Sequence, residues 1–312
     1  MIHPDESAKT ISVLGILRFL RIGSLCCGII ITSFACKQNP SIIPEIDQKT
    51  FSKYWLQGKA EISSYHLQQA FNEKVYEGKV TLLYMVEDFS LAKQVELKNP
   101  EMYKNDLVRV MKLISSKHFI TGVSDNQLMT SIFTPLDYQI HPHSLKLTGG
   151  IQDWSGQSFF QSNFKGNRYE VRQFSNLADV GDKDYTLVST MLEDEIWTRI
   201  RVAPNTLPIG EIKITPSADY LLLMHGENKV YSPTAVLTIV NGDYVYTIIY
   251  QEVKRELEIR FEQRFPYKIV GWKETKGKNE VTTAELTNAT LNDFWNYNQP
   301  KDSTLRIQLL PK

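Results

Sequence analysis

Apolar and charged residues alternate without a break through Leu257-Glu258-Ile259-Arg260-Phe261-Glu262. Successive side chains of a strand point to opposite faces, so this run predicts a strand with Ile259 and Phe261 on its buried face and Glu258 and Arg260 on its wet one. Just upstream, Val236 to Val240 and Tyr244 to Tyr250 are rich in β-branched and aromatic residues and are joined by Asn241-Gly242-Asp243, a hairpin signal. Glu256 to Phe265 and Tyr267 to Lys273 continue the pattern, with a break at Pro266. Residues 234 to 273 are therefore expected as consecutive antiparallel strands. The first half reads the same way in weaker form. A strand over Val80 to Val86 follows a turn at Glu77-Gly78, and strands over Leu107 to Ile114 and Leu128 to Thr134 come next, the latter stopped by Pro135. Gly149-Gly150 and Gly156 then punctuate the chain before short aromatic strands at Ser158 to Phe164 and Arg168 to Phe174.

Between these halves the period changes. Leu192, Ile196, Trp197 and Ile200 recur at helical spacing, and Glu193, Asp194, Glu195, Arg199 and Arg201 fill much of the rest. Acids come first and bases last, the order that favours a helix through its dipole. The pattern predicts a helix ended by Pro204, with Trp197 in the core and the acids on a solvated face. A second helix is expected through Leu221 to Met224, capped by Ser217 and stopped by Gly226. The fold class that results is α+β and predominantly antiparallel β, a curved meander sheet (half-barrel) packed on one or two central helices. Residues 51–312 are expected to form that domain, with two sub-sheets, 51–180 and 181–312, as one possible division.

The N-terminal pattern differs from all of this. The apolar run Leu25 to Cys36 follows Arg18 and Arg21 and gives way at once to Lys37-Gln38-Asn39, the layout of a secretory signal. Ser33-Phe34-Ala35-Cys36 resembles the lipobox of bacterial lipoproteins, in which a cysteine after small residues becomes the lipid-bearing first residue. Residues 1–35 are thus expected as signal peptide, Cys36 as the lipidation site and 36–50 as a tether with Pro40 and Pro44. An uncleaved spanning helix fits less well. A span needs about 20 apolar residues, and Arg18 and Arg21 interrupt the stretch. The expected place is the cell envelope, lipid-anchored, at the outer membrane of a Gram-negative bacterium. Cys26 and Cys27 fall within the signal, so the remaining chain keeps Cys36 alone and has no disulfide.

The chain has 312 residues with 35 bases and 35 acids, their signs interspersed. That balance argues against a nucleic-acid partner, which would require clustered Lys and Arg.

Several stretches are familiar together: Tyr54-Trp55 with Gly58-Lys59-Ala60-Glu61-Ile62-Ser63-Ser64-Tyr65, Glu87-Asp88-Phe89-Ser90, Thr130-Ser131-Ile132-Phe133-Thr134-Pro135, Leu192 to Arg201, and Phe294-Trp295-Asn296-Tyr297-Asn298. Over nearly the whole chain after the leader they resemble a family of Bacteroidota lipoproteins of unknown function, whose members often carry the label septum formation inhibitor Maf. The chain lacks the Ser-Pro-Arg-Arg type motif of true Maf pyrophosphatases, so that activity is not carried over. The resemblance supplies no catalytic residues. The closing strands are also similar to the curved sheets of periplasmic lipoprotein carriers, by analogy of fold alone.

Candidate chemistry is sparse. There is no Gly-x-Ser-x-Gly elbow, phosphate-cradling glycine loop or His-Glu-x-x-His. His141-Pro142-His143 could start a metal site with Asp137, but its composition is that of a turn, and no metal and no cofactor are expected. Glu193-Asp194-Glu195 and Glu87-Asp88 invite a general-acid reading, yet adjacent helical residues diverge by about 100°. Of the five tryptophans, Trp154 in Asp153-Trp154-Ser155-Gly156 is the best placed for a ligand. The expectation is a non-enzymatic lipoprotein that binds an apolar or glycan ligand, or an envelope protein partner, with the membrane reached through Cys36. The alternative is an envelope hydrolase whose paired carboxylates meet only in the fold.

Overall fold

A computed structural model describes residues 43–176 and 181–310 of the chain. The expected signal peptide and Cys36 lie outside the described residues. The chain opens with helix α1 (Gln48–Trp55), whose N-cap Asp47 accepts hydrogen bonds from the amides of Lys49 and Thr50 at 3.0 Å. Strands β1 (Ala60–Phe71), β2 (Lys74–Ser90) and β3 (Val95–Glu96) follow, then β4 (Leu107–Thr121) and β5 (Ser124–Pro135). Next come β6 (Lys146–Asp153), β7 (Gly156–Phe164), β8 (Arg168–Ser175) and β9 (Lys183–Val188). The centre holds β10 (Met191–Leu192), α2 (Glu193–Val202), β11 (Gly210–Glu211), β12 (Ile214–Thr215) and α3 (Ala218–Met224). The chain then runs through β13 (Thr234–Val240), β14 (Asp243–Tyr250), β15 (Arg255–Glu262), β16 (Ile269–Lys276) and β17 (Glu280–Asn292) to a short α4 (Leu305–Leu309).

Fifteen strands form one large sheet that does not close into a barrel, along the path β11-β13-β14-β15-β16-β17-β1-β2-β4-β5-β6-β7-β8-β9, with β3 paired to β2. Every pairing in it is antiparallel; β10 and β12 make a separate parallel pair. Strands of the segments 51–180 and 181–312 belong to one path because β17 pairs with β1. The hairpin at Asn241-Gly242 is present, both residues at positive φ (52° and 89°) as a turn matched to the sheet's twist requires. In β15, Leu257, Ile259 and Phe261 are buried and the residues between them are not, so that strand stands as its pattern predicts.

Three glycine-based expectations change. Gly78 is not in a turn but inside β2, where a Cβ would stand 2.5 Å from the carbonyl oxygen of His118. Glycine there allows a close backbone approach, and the turn lies at Asn72-Glu73, both at positive φ. Gly149 and Gly150 lie inside β6 and do not interrupt it. At Gly149 a Cβ would meet the Cβ of Ala218 at 2.9 Å, so the missing side chain lets α3 reach the sheet backbone. In the segment expected as a tether, Ile43 is buried and α1 opens at Gln48. Among the described residues no helix is long and apolar enough to cross a membrane.

Candidate functional site

Helix α2 is where sequence and structure part most sharply. Its acids are not solvated: Glu193, Asp194 and Glu195 are all buried, as are Arg199 and Arg201. Trp197, expected in the core, is the one residue of the helix left half-buried. The reason is pairing. Arg201 forks onto Glu61 of β1 with Nη1–Oε1 2.7 Å and Nη2–Oε2 2.5 Å, while Tyr54 of α1 donates to the same carboxylate at 2.5 Å. Arg255 of β15 forks onto Glu193 at 2.5 and 2.6 Å and also donates to Glu274. Glu195 accepts from the amide and hydroxyl of Ser144 at 3.1 and 2.8 Å and from Arg199 Nε at 2.6 Å. A charge enters a core when such bidentate partners replace its water.

These partners set the titration of the acids. Burial alone would push the Glu193 and Glu61 carboxyls up, but the guanidinium groups of Arg255 and Arg201 hold both below the ordinary range. Among the described residues Asp194 pairs with no cation. Burial pushes its carboxyl up to about 8, although its Oδ2 accepts from the amide of Ala218 at 2.9 Å and so links α2 to the start of α3.

Asp194 lines a small cavity with Asp219, Lys117, Thr130, Trp197 and Trp272, the two indoles meeting edge to face at 5.1 Å. Asp219 Oδ2 pairs with Lys117 Nζ at 2.8 Å, and its Oδ1 is buried with no hydrogen-bond partner among the described residues. The cavity measures about 50 Å³. One or two waters fit, at about 30 Å³ each; a sugar ring does not.

A larger groove, about 490 Å³, lies between β7–β9 and the chain after α3. Phe160, Leu221 and Leu222 give it an apolar floor, and Gln173, Tyr185 and Asn228 bring polar groups. Asn228 Nδ2 donates to the Tyr185 hydroxyl at 2.8 Å, and Asn228 Oδ1 is buried with no partner among the described residues. The volume falls in the range of small-molecule sites, about 300 to 1,000 Å³. Nothing in the sequence nominates Asn228 or Tyr185, which stand 43 residues apart.

Trp154 is 69% exposed at the tip of the β6–β7 hairpin and lines neither cavity. Its turn is fixed by Asp153 Oδ1, which accepts from the amides of Ser155 and Gly156 at 2.6 and 3.0 Å. The His141-Pro142-His143 segment is a loop whose Pro142 carbonyl accepts from Arg199 Nη2 at 3.2 Å, and His143 lies against Phe164 at 5.2 Å. Asp137 caps that loop through the amides of Gln139 and Ile140. Among the described residues no group of three or more His, Cys, Asp or Glu is placed to hold a metal ion. Glu87, half-buried on β2, has its carboxyl pushed up, first by burial and then by the nearby charge of Glu96. Neither a family model nor a curated protein matches the chain.

Proposed function

We infer that the chain is a lipid-anchored protein of the cell envelope, attached through Cys36, that binds a sugar unit in the groove between β7–β9 and the end of α3. In this reading the open antiparallel path is a curved half-barrel over α2 and α3, and the groove lies at its β9 edge. The observation that carries it is the pairing of Asn228 with Tyr185. Asn228 and Tyr185 hold each other at 2.8 Å on the groove wall, an amide and a phenol side by side beside Gln173. Together they offer hydrogen-bond donors and acceptors to a ligand hydroxyl above an apolar floor. The floor of Phe160, Leu221 and Leu222 suits the C–H face of a pyranose.

The hydrolase alternative draws on Asp194 and Asp219, which line one cavity. Its small volume, and the occupation of both acids by Ala218 and Lys117, favour binding over catalysis. Calorimetric titration of the purified protein with cellobiose, maltose and chitobiose tests the proposal. One of them should bind, and Asn228→Ala should weaken that binding at least tenfold with little change in thermal stability. No heat with any of the three, and no bound mass in the native mass spectrum of the purified protein, would remove the groove as a sugar site.

A further inference from the structure

Strands β1, β2 and β4 carry a gradient of polarity on the face that points away from α2. Glu61, Tyr65 and Leu67 of β1 point into the core, so Ile62, Ser64 and His66 point outwards. Cross-strand partners share a face, and the register therefore sets three rows side by side. Ile62, Leu83 and Ile114 make an apolar row, Ser64, Thr81 and Ser116 a row of hydroxyls, and His66, Lys79 and His118 a basic one. Successive rows lie about 7 Å apart along the strands. The chain after β17 roofs the apolar end: Leu305, Leu309 and Leu310 line a slot of about 500 Å³ together with Ile62 and Leu83. Asn288 Nδ2 donates to the Leu309 carbonyl at 3.3 Å and ties this roof to β17. Thr81, Ser116, Arg306 and Leu310 border the slot and also a hollow of about 710 Å³ that holds the basic row, so the two adjoin.

The charges around this double cavity are unevenly spent. Its two acids are engaged: Glu77 pairs with His66, and Asp302 accepts from the amide of Gln299 at 2.9 Å. His118 is held by Asp125 at 2.9 Å. The side chains of Lys79 and Arg306, by contrast, make neither an ion pair nor a hydrogen bond among the described residues. Ser64 is only 6% exposed, and its buried Oγ has no hydrogen-bond partner among the described residues. Beside it β17 bulges, and the extra residue, Thr287, donates to the Ser64 carbonyl at 3.0 Å and leaves that hydroxyl unanswered. What these groups lack is a negative charge with acceptor oxygens. What the slot lacks is a narrow apolar filling. A small free anion would leave the slot unused, and a protein surface or a bilayer needs an open face, whereas α4 already covers the apolar end.

We propose that this double cavity binds one long-chain anionic lipid, its acyl chain in the slot beneath α4 and its carboxylate or phosphate at Ser64, met by Lys79 and Arg306. Each of the two volumes lies in the range of small-molecule sites, about 300 to 1,000 Å³. The site shares no lining residue with the groove beside β7–β9 and does not depend on it.

Titration of the purified protein with cis-parinaric acid, a fluorescent long-chain carboxylate, tests this. Its fluorescence should rise to saturation at one molecule per chain. Palmitate and lysophosphatidate, used as competitors, should displace it, and the stronger of the two tells a carboxylate head from a phosphate one. Zwitterionic lysophosphatidylcholine should displace it at least tenfold less well. The double variant Lys79→Gln, Arg306→Gln should weaken binding at least tenfold with unchanged thermal stability, because both side chains are exposed and unpaired among the described residues. Ser116→Trp, at an exposed position where slot and hollow meet, should block the site in the same way. Asn228→Ala, which disables the groove, should leave parinarate binding intact. No saturable rise in fluorescence would overturn the proposal. So would displacement by lysophosphatidylcholine as strong as by the anionic competitors, or binding that survives both the double variant and Ser116→Trp.

Discussion

Each charged residue of α2 acts according to its partner and not according to its type. Glu193 is held by both Arg255 nitrogens, so Glu193→Gln leaves a buried guanidinium short of a counter-charge and should cost about 3 to 5 kcal/mol. Trp197→Ala, at a half-buried position, should cost about 2 kcal/mol, below the 3 to 5 of a fully buried aromatic. Urea unfolding of both variants ranks them; a larger loss from Trp197 would reverse the assignment. Asp194 behaves oppositely to Glu193. Its carboxyl, pushed up to about 8 in the fold, lies far above its value in an unfolded chain. The folded state therefore favours the protonated form. That contribution is full below about pH 4, is lost as pH rises to the folded value near 8, and does not change further above it. Melting temperature should fall between about pH 5 and 8, and Asp194→Asn should flatten the fall; an equally steep profile in the variant would show that Asp194 does not titrate there.

At the scale of elements, neighbouring glycines of β6 make a paired test. Gly149→Ala drives a methyl group against Ala218 and should cost about 1 to 3 kcal/mol by overpacking. Gly150→Ala meets only ordinary contacts and should be neutral or stabilising, by up to about 1 kcal/mol. Thermal melts of the two variants decide it, and equal effects would mean that α3 does not bear on β6. Strands were the legible part of this chain. The β13–β14 hairpin is announced by Asn241-Gly242 between β-branched runs, and β15 by strict alternation, because both signals are local. The helical period of α2 is equally local, but its faces are not. Arg201 finds Glu61 140 residues upstream and Glu193 finds Arg255 62 residues downstream, so paired acids and solvated acids look the same in sequence. Asn228 and Tyr185, 43 residues apart, likewise meet only in the fold.

For the whole molecule, the proposed anchor and the fold can be tested apart. Cys36→Ser should abolish fatty-acid labelling and leave an unprocessed precursor, while the protein from Lys37 onward should keep its thermal transition. Persistent labelling of the variant would place the lipid elsewhere or nowhere.

The pairing of β1 with β17 has a kinetic consequence. A chain delivered from its N-terminus presents β1 with β2 on one flank and nothing on the other until Glu280–Asn292 has arrived more than 200 residues later. Closing so long a loop is slow, and the central strand cannot be flanked on both sides by any nascent fragment that stops short of β17. Completion of the sheet is thereby timed to the emergence of its last strand. A polypeptide with that schedule keeps one edge of β1 open, and so one edge of the growing sheet exposed, until its last strand is made.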